Sequence, residues 1–283
     1  MTTPGTVRWI VADQPRLILV LGGARSGKST FAEKLAASAA ARAAASRLDP
    51  VTPSPDGPRG DSLAQTAASA AAVTTGDEVS RSAGAVVDAA GAVPPPSGTG
   101  RVTYLATSQP YDDEMRQRIA RHQADRPRNW TTVECPLEVP AAVRAHAAAT
   151  DVFLLDCVTF WVTNLLFASG GVGEQMPEGL GDFTKEFIPP EAERAAAQRV
   201  ARSLDDLDNA LRETGTTLIA VSNEVGLGLV PEYPLSRLFR DEQGRANARL
   251  AAAADQVYFL AAGLPLELKS LSHPPFAPEE PSS

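Results

Sequence analysis

One short segment constrains the fold of this 283-residue chain more than any other. It follows the apolar run 17–21, precedes a segment of helical period, and fits the pattern G-x-x-x-x-G-K-[ST]. Its residues are Gly22, Gly23, Ala24, Arg25, Ser26, Gly27, Lys28 and Ser29. In such loops backbone N–H groups and the positive end of the next helix face phosphate oxygens. A Gly-rich turn that matches by chance is the alternative, but the strand–loop–helix setting favours nucleotide binding, with Lys28 on the β- and γ-phosphates and Ser29 on Mg²⁺.

Short apolar runs alternate with longer segments of helical period along the rest of the chain. The predicted strands are 17–21, 102–106, 152–156, 217–221 and 256–260. The predicted helices are about 27–41, 112–124, 158–168, 191–213 and 235–253. Runs that are apolar on both faces are typical of buried parallel strands. The pattern therefore predicts an α/β domain over residues 16–269, with a mostly parallel central sheet flanked by helices.

Four segments are expected to lie outside this sheet and its helices: an N-terminal extension (1–15), a long insertion (42–100), a surface loop (169–190) and a Pro-rich tail (270–283). The insertion consists mostly of Ala, Gly, Pro, Ser and Thr and has no aromatic residue. Such a composition cannot bury enough apolar surface to offset its ordering entropy, so we expect it to be flexible. It could cover a cleft or recruit a partner, but a surface loop needs no role.

The net charge of −8 argues against a general nucleic-acid or anionic-membrane binder, because those proteins neutralise phosphates with a basic surface. No apolar run is long enough for a transmembrane segment, and the start of the chain lacks the pattern of a signal peptide. Cys135 and Cys157 are too few for a disulfide framework and are expected to be buried. These features predict a cytoplasmic protein.

Asp156 ends a predicted strand, which is where a P-loop enzyme places a second group that holds the metal. The alternative role is to cap the helix that follows, since Asp is a preferred N-cap. The apolar run before Asp156 indicates a buried central strand and favours the metal role. Both roles are compatible.

His122 lies in a predicted helix with acids in its first turn and bases in its last. The nearby Arg118, Arg121 and Arg126 would favour a phosphate chain, and a neutral imidazole is a competent nucleophile at phosphorus. From the residues alone, an exposed histidine of the last helical turn is nevertheless the favoured interpretation. The other histidines, His146 and His273, are expected to be ordinary surface residues.

Several blocks in this order resemble the bifunctional adenosylcobinamide kinase / adenosylcobinamide-phosphate guanylyltransferase family of cobalamin biosynthesis. They are the phosphate loop 22–29, Ala-Thr-Ser-Gln at 106–109, Asp-Asp-Glu-Met at 112–115, residues 118–127, Trp-Thr-Thr-Val-Glu at 130–134, Val-Thr-Asn-Leu-Leu-Phe at 162–167, residues 222–231, Phe-Arg-Asp at 239–241 and Gly-Arg-Ala-Asn at 244–247. Together these blocks are far more specific than the phosphate loop alone.

The resemblance implies a RecA-like P-loop fold, a homotrimer and two reactions. ATP or GTP phosphorylates adenosylcobinamide, and GTP then transfers GMP to adenosylcobinamide phosphate, giving adenosyl-GDP-cobinamide and pyrophosphate. In the family the second step passes through a histidine–GMP intermediate. His122 is the only histidine in the matching block, so the resemblance reverses the interpretation above and implies that His122 is the nucleophile. Lys28 would stabilise phosphoryl charge, and Ser29 and Asp156 would hold Mg²⁺.

The resemblance implies further contacts with GTP at Thr107, Ser108, Gln109, Gln123, Ala124, Asp125, Arg126, Glu134 and Asp156. Open α/β sheets bind ligands at the carboxyl ends of their strands, and 107–109 follow such an end. Glu134 could equally be an ordinary strand-end acid. Asn223 and Glu224 could serve substrate or metal, or only form a turn.

Two other functions stay open: a P-loop kinase that lacks guanylyl transfer, and an NTP-dependent binding switch. The sequence does not choose between ATP and GTP for the kinase step. It also does not choose among Trp130, Phe160 and Trp161 as contacts of the corrin ring.

Overall fold

The computed structural model describes residues 15–48, 100–110, 113–168 and 188–272. Most of the four segments expected outside the sheet and helices, including positions 49–99 of the insertion, therefore fall outside the described residues. The strands are β1 (Leu17–Gly22), β2 (Val102–Ala106), β3 (Thr131–Glu134), β4 (Val152–Asp156), β5 (Thr217–Val221), β6 (Gln256–Ala261) and β7 (Leu264–Glu267). The helices are α1 (Lys28–Leu48), α2 (Asp113–Asp125), α3 (Val139–His146), α4 (Val158–Phe167), α5 (Pro190–Thr214), α6 (Pro234–Ala253) and α7 (Leu268–Leu271).

The seven strands form one sheet in the order β3-β2-β4-β5-β1-β6-β7. Every neighbouring pair is parallel except β6 and β7. All five predicted strands are present, with β1 and β6 one residue longer than expected. This confirms the predicted fold class, a mostly parallel α/β sheet flanked by helices, in which the phosphate loop connects β1 to α1.

The strand that carries the phosphate loop lies inside the sheet. Leu19 of β1 pairs with Ala220 of β5 on one side and with Val257 of β6 on the other. Residues 15–48 and 100–272 therefore contribute to one sheet, although a long stretch of chain separates them. This arrangement places the carboxyl ends of β1, β4 and β5 at a common edge.

Each face of the sheet has its own hydrophobic core. Helix α1 covers one face through Ala32, Ala36, Ala40 and Ala44, which recur every four residues and are at most 2% exposed. The other face buries the larger side chains of α3 to α6, including the fully buried Trp161. Both cysteines are buried, as expected.

Helix α1 runs to Leu48, seven residues beyond the predicted end. Alanine is the best helix former, so the Ala-rich sequence extends the helix. Tertiary contacts then hold the added turns, since Ala44 is 2% exposed and Arg47 forms an ion pair with Asp151 of the β4 entry. Residues 42–48 thus belong to the domain, not to the insertion.

The elements that the sequence did not predict are short. Strand β3 has four residues with exposed or half-buried side chains, so it shows no apolar run. Strand β7 follows β6 through Ala262 and Gly263, both with positive φ (51° and 81°), which is the geometry of a tight hairpin. Within the described parts of the chain, none of the helices is both long enough and apolar enough to cross a membrane.

Candidate functional site

The phosphate loop is held tightly between β1 and α1. Gly22 has φ 154° and Gly27 has φ 91°, conformations that favour glycine. A Cβ on Gly22 would lie 2.6 Å from the carbonyl oxygen of Leu260 and 2.7 Å from Oγ of Ser26. The carbonyl of Gly22 also accepts a hydrogen bond from the backbone of Glu224 at 3.1 Å. The loop is therefore fixed to the ends of both neighbouring strands.

Lys28 is only 8% exposed, and its Nζ donates a hydrogen bond to the carbonyl of Gly23 at 2.6 Å. Ser26 is equally buried, and its Oγ has no hydrogen-bond partner among the described residues. A buried hydroxyl without a partner is unusual in a folded protein. A phosphate oxygen seated in the loop would satisfy it, so these side chains fit a phosphate ligand.

The loop opens into a cavity of about 820 Å³ at the carboxyl edge of the sheet. Its lining comes from the phosphate loop, from the ends of β2, β4 and β5, and from α2, α4 and α6. The lining residues are Ala24, Arg25, Ser26, Gly27, Lys28, Ser29, Thr30, Tyr104, Ser108, Ile119, Arg126, Asp156, Cys157, Thr159, Phe160, Val221, Asn223, Glu224, Val225 and Phe239. The structure thus brings most of the predicted phosphate and metal groups together.

Asp156 ends β4 and lines this cavity, as predicted. Its Oδ2 accepts a hydrogen bond from the hydroxyl of Tyr104 at 2.7 Å. Burial and the negative charge of Asp156 raise the pKa of Tyr104, so the phenol stays protonated and remains a donor. Sequence reasoning missed Tyr104 because a tyrosine inside an apolar strand run looks like a core residue.

Helix α2 borders the same cavity. Ile119 lines it, and so does Arg126, which follows the last helical residue directly. His122 lies between them in the sequence, within the same helix. The helix that carries the predicted nucleophile is therefore next to the phosphate loop's cavity.

Thr107 is completely buried, and its hydroxyl both donates and accepts a hydrogen bond. Oγ1 donates to the carbonyl of Cys157 at 2.7 Å and accepts from the Cys157 N–H at 2.8 Å. These bonds join the end of β2 to the end of β4. The hydroxyl of Thr107 is thus bonded to the backbone, and its predicted contact with GTP stays a prediction.

Other predicted GTP contacts lie away from the cavity lining. Glu134 is exposed at the end of the edge strand β3, and Gln109 is half-buried beyond β2. Gln123 and Ala124 are exposed on α2, which ends at Asp125. Contacts of these residues with GTP stay predictions.

Asn223 is held in place at the cavity and does not form a loose turn. Its backbone N–H and its Nδ2 both donate to Oγ1 of Thr159, at 3.0 and 3.1 Å, and its carbonyl accepts from Asn247 at 2.9 Å. Asn247 in turn accepts hydrogen bonds from the buried Ser222 and Gln243 at 2.6 and 2.9 Å. This network fixes the loop after β5 and presents Asn223 to the cavity.

The three aromatic candidates for the corrin ring have different surroundings in the structure. Trp161 is fully buried, and its Nε1 donates to the carbonyl of Leu137 at 2.8 Å, so it is a core residue. Trp130 is half-buried beside the core under α1. Phe160 packs against the same core and also lines the cavity.

The oxygen donors around the cavity suit Mg²⁺. Ser29 supplies a hydroxyl and Asp156 a carboxylate to the cavity lining. The described residues contain no group of three or more His, Cys, Asp and Glu side chains that could hold a metal alone. Mg²⁺ is usually bound through one or two carboxylates together with substrate phosphates, so this donor set fits the ion.

Comparisons with known proteins identify the family of this chain. The family model for cobinamide kinase / cobinamide phosphate guanyltransferase matches residues 89–268, more than half of the chain. The bifunctional adenosylcobalamin biosynthesis protein CobU of Salmonella typhimurium is 41% identical over 173 residues, 60% of this chain and 86% of that protein. CobU of Escherichia coli is 38% identical over 171 residues (60% and 87%), and CobP of Pseudomonas aeruginosa is 38% identical over 168 (59% and 82%).

The matched residues include His122, Asp156 and Asn223, and the phosphate loop precedes them. Because β1 pairs on both sides with strands of the matched segment, the loop belongs to the same sheet as that segment. On the family match and these relatives, the chain belongs to the cobinamide kinase / cobinamide phosphate guanyltransferase family.

Proposed function

We propose that this chain carries out both reactions of its family at the cavity beside the phosphate loop, and that GMP is carried on His122. The observation that carries the proposal is the arrangement around the cavity. The phosphate loop, the carboxylate of Asp156 and the helix that contains His122 all border one space.

In the kinase step, the hydroxyl oxygen of adenosylcobinamide forms a bond to the γ-phosphorus of ATP or GTP. The bond from that phosphorus to the β-phosphate oxygen breaks, the nucleoside diphosphate leaves, and the hydroxyl proton passes to solvent. The loop N–H groups and Lys28 stabilise the charge on the phosphoryl oxygens. Ser29 and Asp156 would hold Mg²⁺, which supplies charge neutralisation on the phosphates when bound.

In the transfer step, a ring nitrogen of neutral His122 forms a bond to the α-phosphorus of GTP, and pyrophosphate leaves. A phosphate oxygen of adenosylcobinamide phosphate then bonds to the same phosphorus, and the N–P bond to His122 breaks. The products are adenosyl-GDP-cobinamide and the free histidine. Arg126, on the cavity wall just after α2, is placed to neutralise phosphate charge during both displacements.

Three further features rest on the resemblance to the family. The chain is proposed to form a homotrimer, to act in the cytoplasm, and to accept ATP or GTP in the kinase step. The predicted contacts with GTP belong to the same proposal; they are those of Thr107, Ser108, Gln109, Gln123, Ala124, Asp125, Arg126, Glu134 and Asp156. Phe160 is proposed as a contact of the corrin ring because it is the aromatic candidate that lines the cavity.

The decisive experiment incubates the protein with Mg²⁺ and GTP labelled at the α-phosphate, and tests for covalent label that survives base and is lost in acid. We expect such label on the wild type and on His146→Ala, a control histidine on α3. We expect none on His122→Ala. Transfer of γ-phosphate to adenosylcobinamide, followed by chromatography, measures the kinase step separately.

Two results would contradict the proposal. Kinase activity without histidine label on a GTP-binding wild type would indicate a kinase that lacks guanylyl transfer. Slow hydrolysis and nucleotide-dependent association, without transfer to any corrinoid, would indicate a binding switch.

A further inference from the structure

Tyr104 joins two parts of the cavity that belong to different steps of the proposed reactions. It lies in β2, is 2% exposed, and lines the cavity near the strand's carboxyl end. Its hydroxyl is bonded to Asp156, and its ring is covered by Arg126. One side chain therefore contacts both the candidate metal carboxylate and the residue that directly follows the histidine helix.

The hydroxyl of Tyr104 does more than fill space. A buried phenol needs a hydrogen-bond partner, and here the partner is an anionic carboxylate, which makes the bond charge-assisted. The bond occupies Oδ2 of Asp156, whereas Oδ1 has no hydrogen bond within the described part of the chain. The interaction thus fixes the rotation of the carboxylate and leaves one oxygen for a ligand.

The ring of Tyr104 holds the end of α2. The guanidinium carbon of Arg126 lies 3.6 Å from the ring centre, which is the geometry of a cation–π contact. Arg126 also has a buried Nε without a hydrogen-bond partner among the described residues. Its hydrogen bond to Thr132 is long, at 3.4 Å. The stack on Tyr104 is therefore a principal attachment of this arginine.

The described side chains of α2 bury little surface: Ile119 is half-buried and the others are exposed. These described side chains therefore contribute little packing energy. The Tyr104–Arg126 stack lies directly after the C-terminal end of α2, the end nearer His122, and connects that end to the sheet.

We propose that Tyr104 is a positioning residue for both steps: its hydroxyl orients Asp156 toward the metal, and its ring keeps Arg126 and the C-terminal end of α2 at the cavity. This inference rests on the proposed function. It assigns the hydroxyl to the metal-dependent part of nucleotide binding and the ring to the histidine step.

Two substitutions separate the two parts of the side chain. Tyr104→Phe removes the hydroxyl and keeps the ring, whereas Tyr104→Leu removes both. The matched control is Tyr258→Phe, because Tyr258 of β6 is also buried in the core under α1 and packs edge-on against Phe31, outside the cavity lining. Thermal unfolding of each variant checks that it is folded.

The first measurement is the affinity for a fluorescent GTP analogue with Mg²⁺ and with EDTA. We expect Tyr104→Phe to need about 10-fold more Mg²⁺ for the same affinity, since groups that orient metal ligands have effects of this size. Its affinity in EDTA should equal that of the wild type. The same Mg²⁺ dependence in Tyr104→Phe and wild type would overturn the role of the hydroxyl, as would an equal loss with and without Mg²⁺.

The second measurement is the rate of histidine labelling from α-labelled GTP at saturating Mg²⁺. We expect Tyr104→Phe to label nearly as fast as the wild type, and Tyr104→Leu to label about 3- to 10-fold more slowly, which corresponds to the loss of a cation–π contact. Equal rates in the two variants would overturn the role of the ring. If the wild type takes no label, the proposed function fails and so does this part, whereas the Mg²⁺ titration still decides the role of the hydroxyl.

Discussion

The two helices that border the active cavity are attached to the sheet in opposite ways. Helix α1 buries a row of alanines under the sheet and is fixed at both ends, by the phosphate loop and by the Arg47–Asp151 ion pair. Helix α2 buries none of its described side chains fully, and the residue directly after it, Arg126, is stacked on Tyr104. The phosphate loop is thus attached to the core, whereas the described side chains of the helix that contains His122 bury little surface. This difference agrees with the proposed function, in which a rigid phosphate site lies beside a nucleophile that meets two successive partners.

The largest expected effects are the loss of the kinase step by a substitution on α1 and the loss of histidine labelling by a substitution on α2. Lys28→Ala should lower the rate of the kinase step by about 10²- to 10³-fold, because a preorganised positive group at the phosphoryl oxygens is lost. His122→Ala should abolish histidine labelling and leave the kinase step active. Rates of γ-phosphate transfer measure the first effect, with Lys34→Ala, an exposed lysine of α1, as the control. A fully active Lys28→Ala kinase would remove the phosphate loop from the mechanism.

The next effect tests how closely α1 packs. A Cβ on Gly100, just before β2, would lie 2.1 Å from the backbone carbonyl carbon of Ala40. The backbones of β2 and α1 would have to move apart, because no flexible side chain can shift to make room. We expect Gly100→Ala to lower the free energy of unfolding by about 2 kcal/mol or more. The matched change Gly244→Ala, where no atom lies within 4 Å of the added methyl group, should raise it by about 0.5–1 kcal/mol, as expected for a glycine in a helix. Urea unfolding of both variants gives the two signs, and a stable Gly100→Ala would contradict the close packing.

The bonds of Asp151 with Arg47, at the C-terminal end of α1, and with Arg101 should make a pH-dependent contribution to the free energy of unfolding. Burial alone would raise the pKa of Asp151, but hydrogen bonds from Arg101 and Arg47 outweigh it and hold that pKa below its usual value. Asp151→Asn should therefore lower the free energy of unfolding at pH 7 by about 1.5–3 kcal/mol. Because the folded pKa is the lower one, the contribution is complete above about pH 4 and declines as the pH falls through the folded pKa.

Urea unfolding at pH 7 and below pH 4 measures this contribution, with Asp113→Asn on α2 as the control. Asp113 also bonds an arginine, Arg116, but its side chain is 89% exposed, so we expect a change within about 0.5 kcal/mol. A gap between Asp151→Asn and wild type that persists unchanged below pH 4 would contradict the assignment. Equal effects of the two substitutions would remove the difference between α1 and α2.

The apolar runs of the sequence predicted the strands that are buried in the sheet. The five inner strands were found at their predicted positions, because a buried parallel strand is apolar on both faces. Helix α1 was predicted too short, since an Ala-rich segment looks the same whether or not a sheet lies beneath it. The edge strands β3 and β7 were missed because their short, partly exposed sequences carry no comparable signal.

The same distinction applies to the site residues: those with a local sequence signal were predicted, and those defined by contacts between distant segments were not. The phosphate loop could be identified because its glycines and lysine have fixed spacing, and Asp156 because it ends a buried strand. No local pattern indicated that the hydroxyl of Thr107 is bonded to the backbone of Cys157, whose position is 50 residues away. Tyr104 was missed for the same reason, since its bond to Asp156 crosses between strands whose residues are 52 positions apart.

The sequence by itself determined the α/β fold, the phosphate loop and the family, because these depend on spacing and periodicity along the chain. The tertiary structure decided that β1 lies between β5 and β6, that the loop shares its cavity with Asp156 and the α2 border, and that Tyr104 links them. These features depend on strand order and side-chain contacts between distant segments. No local pattern encodes them, because they arise only when the sheet is assembled.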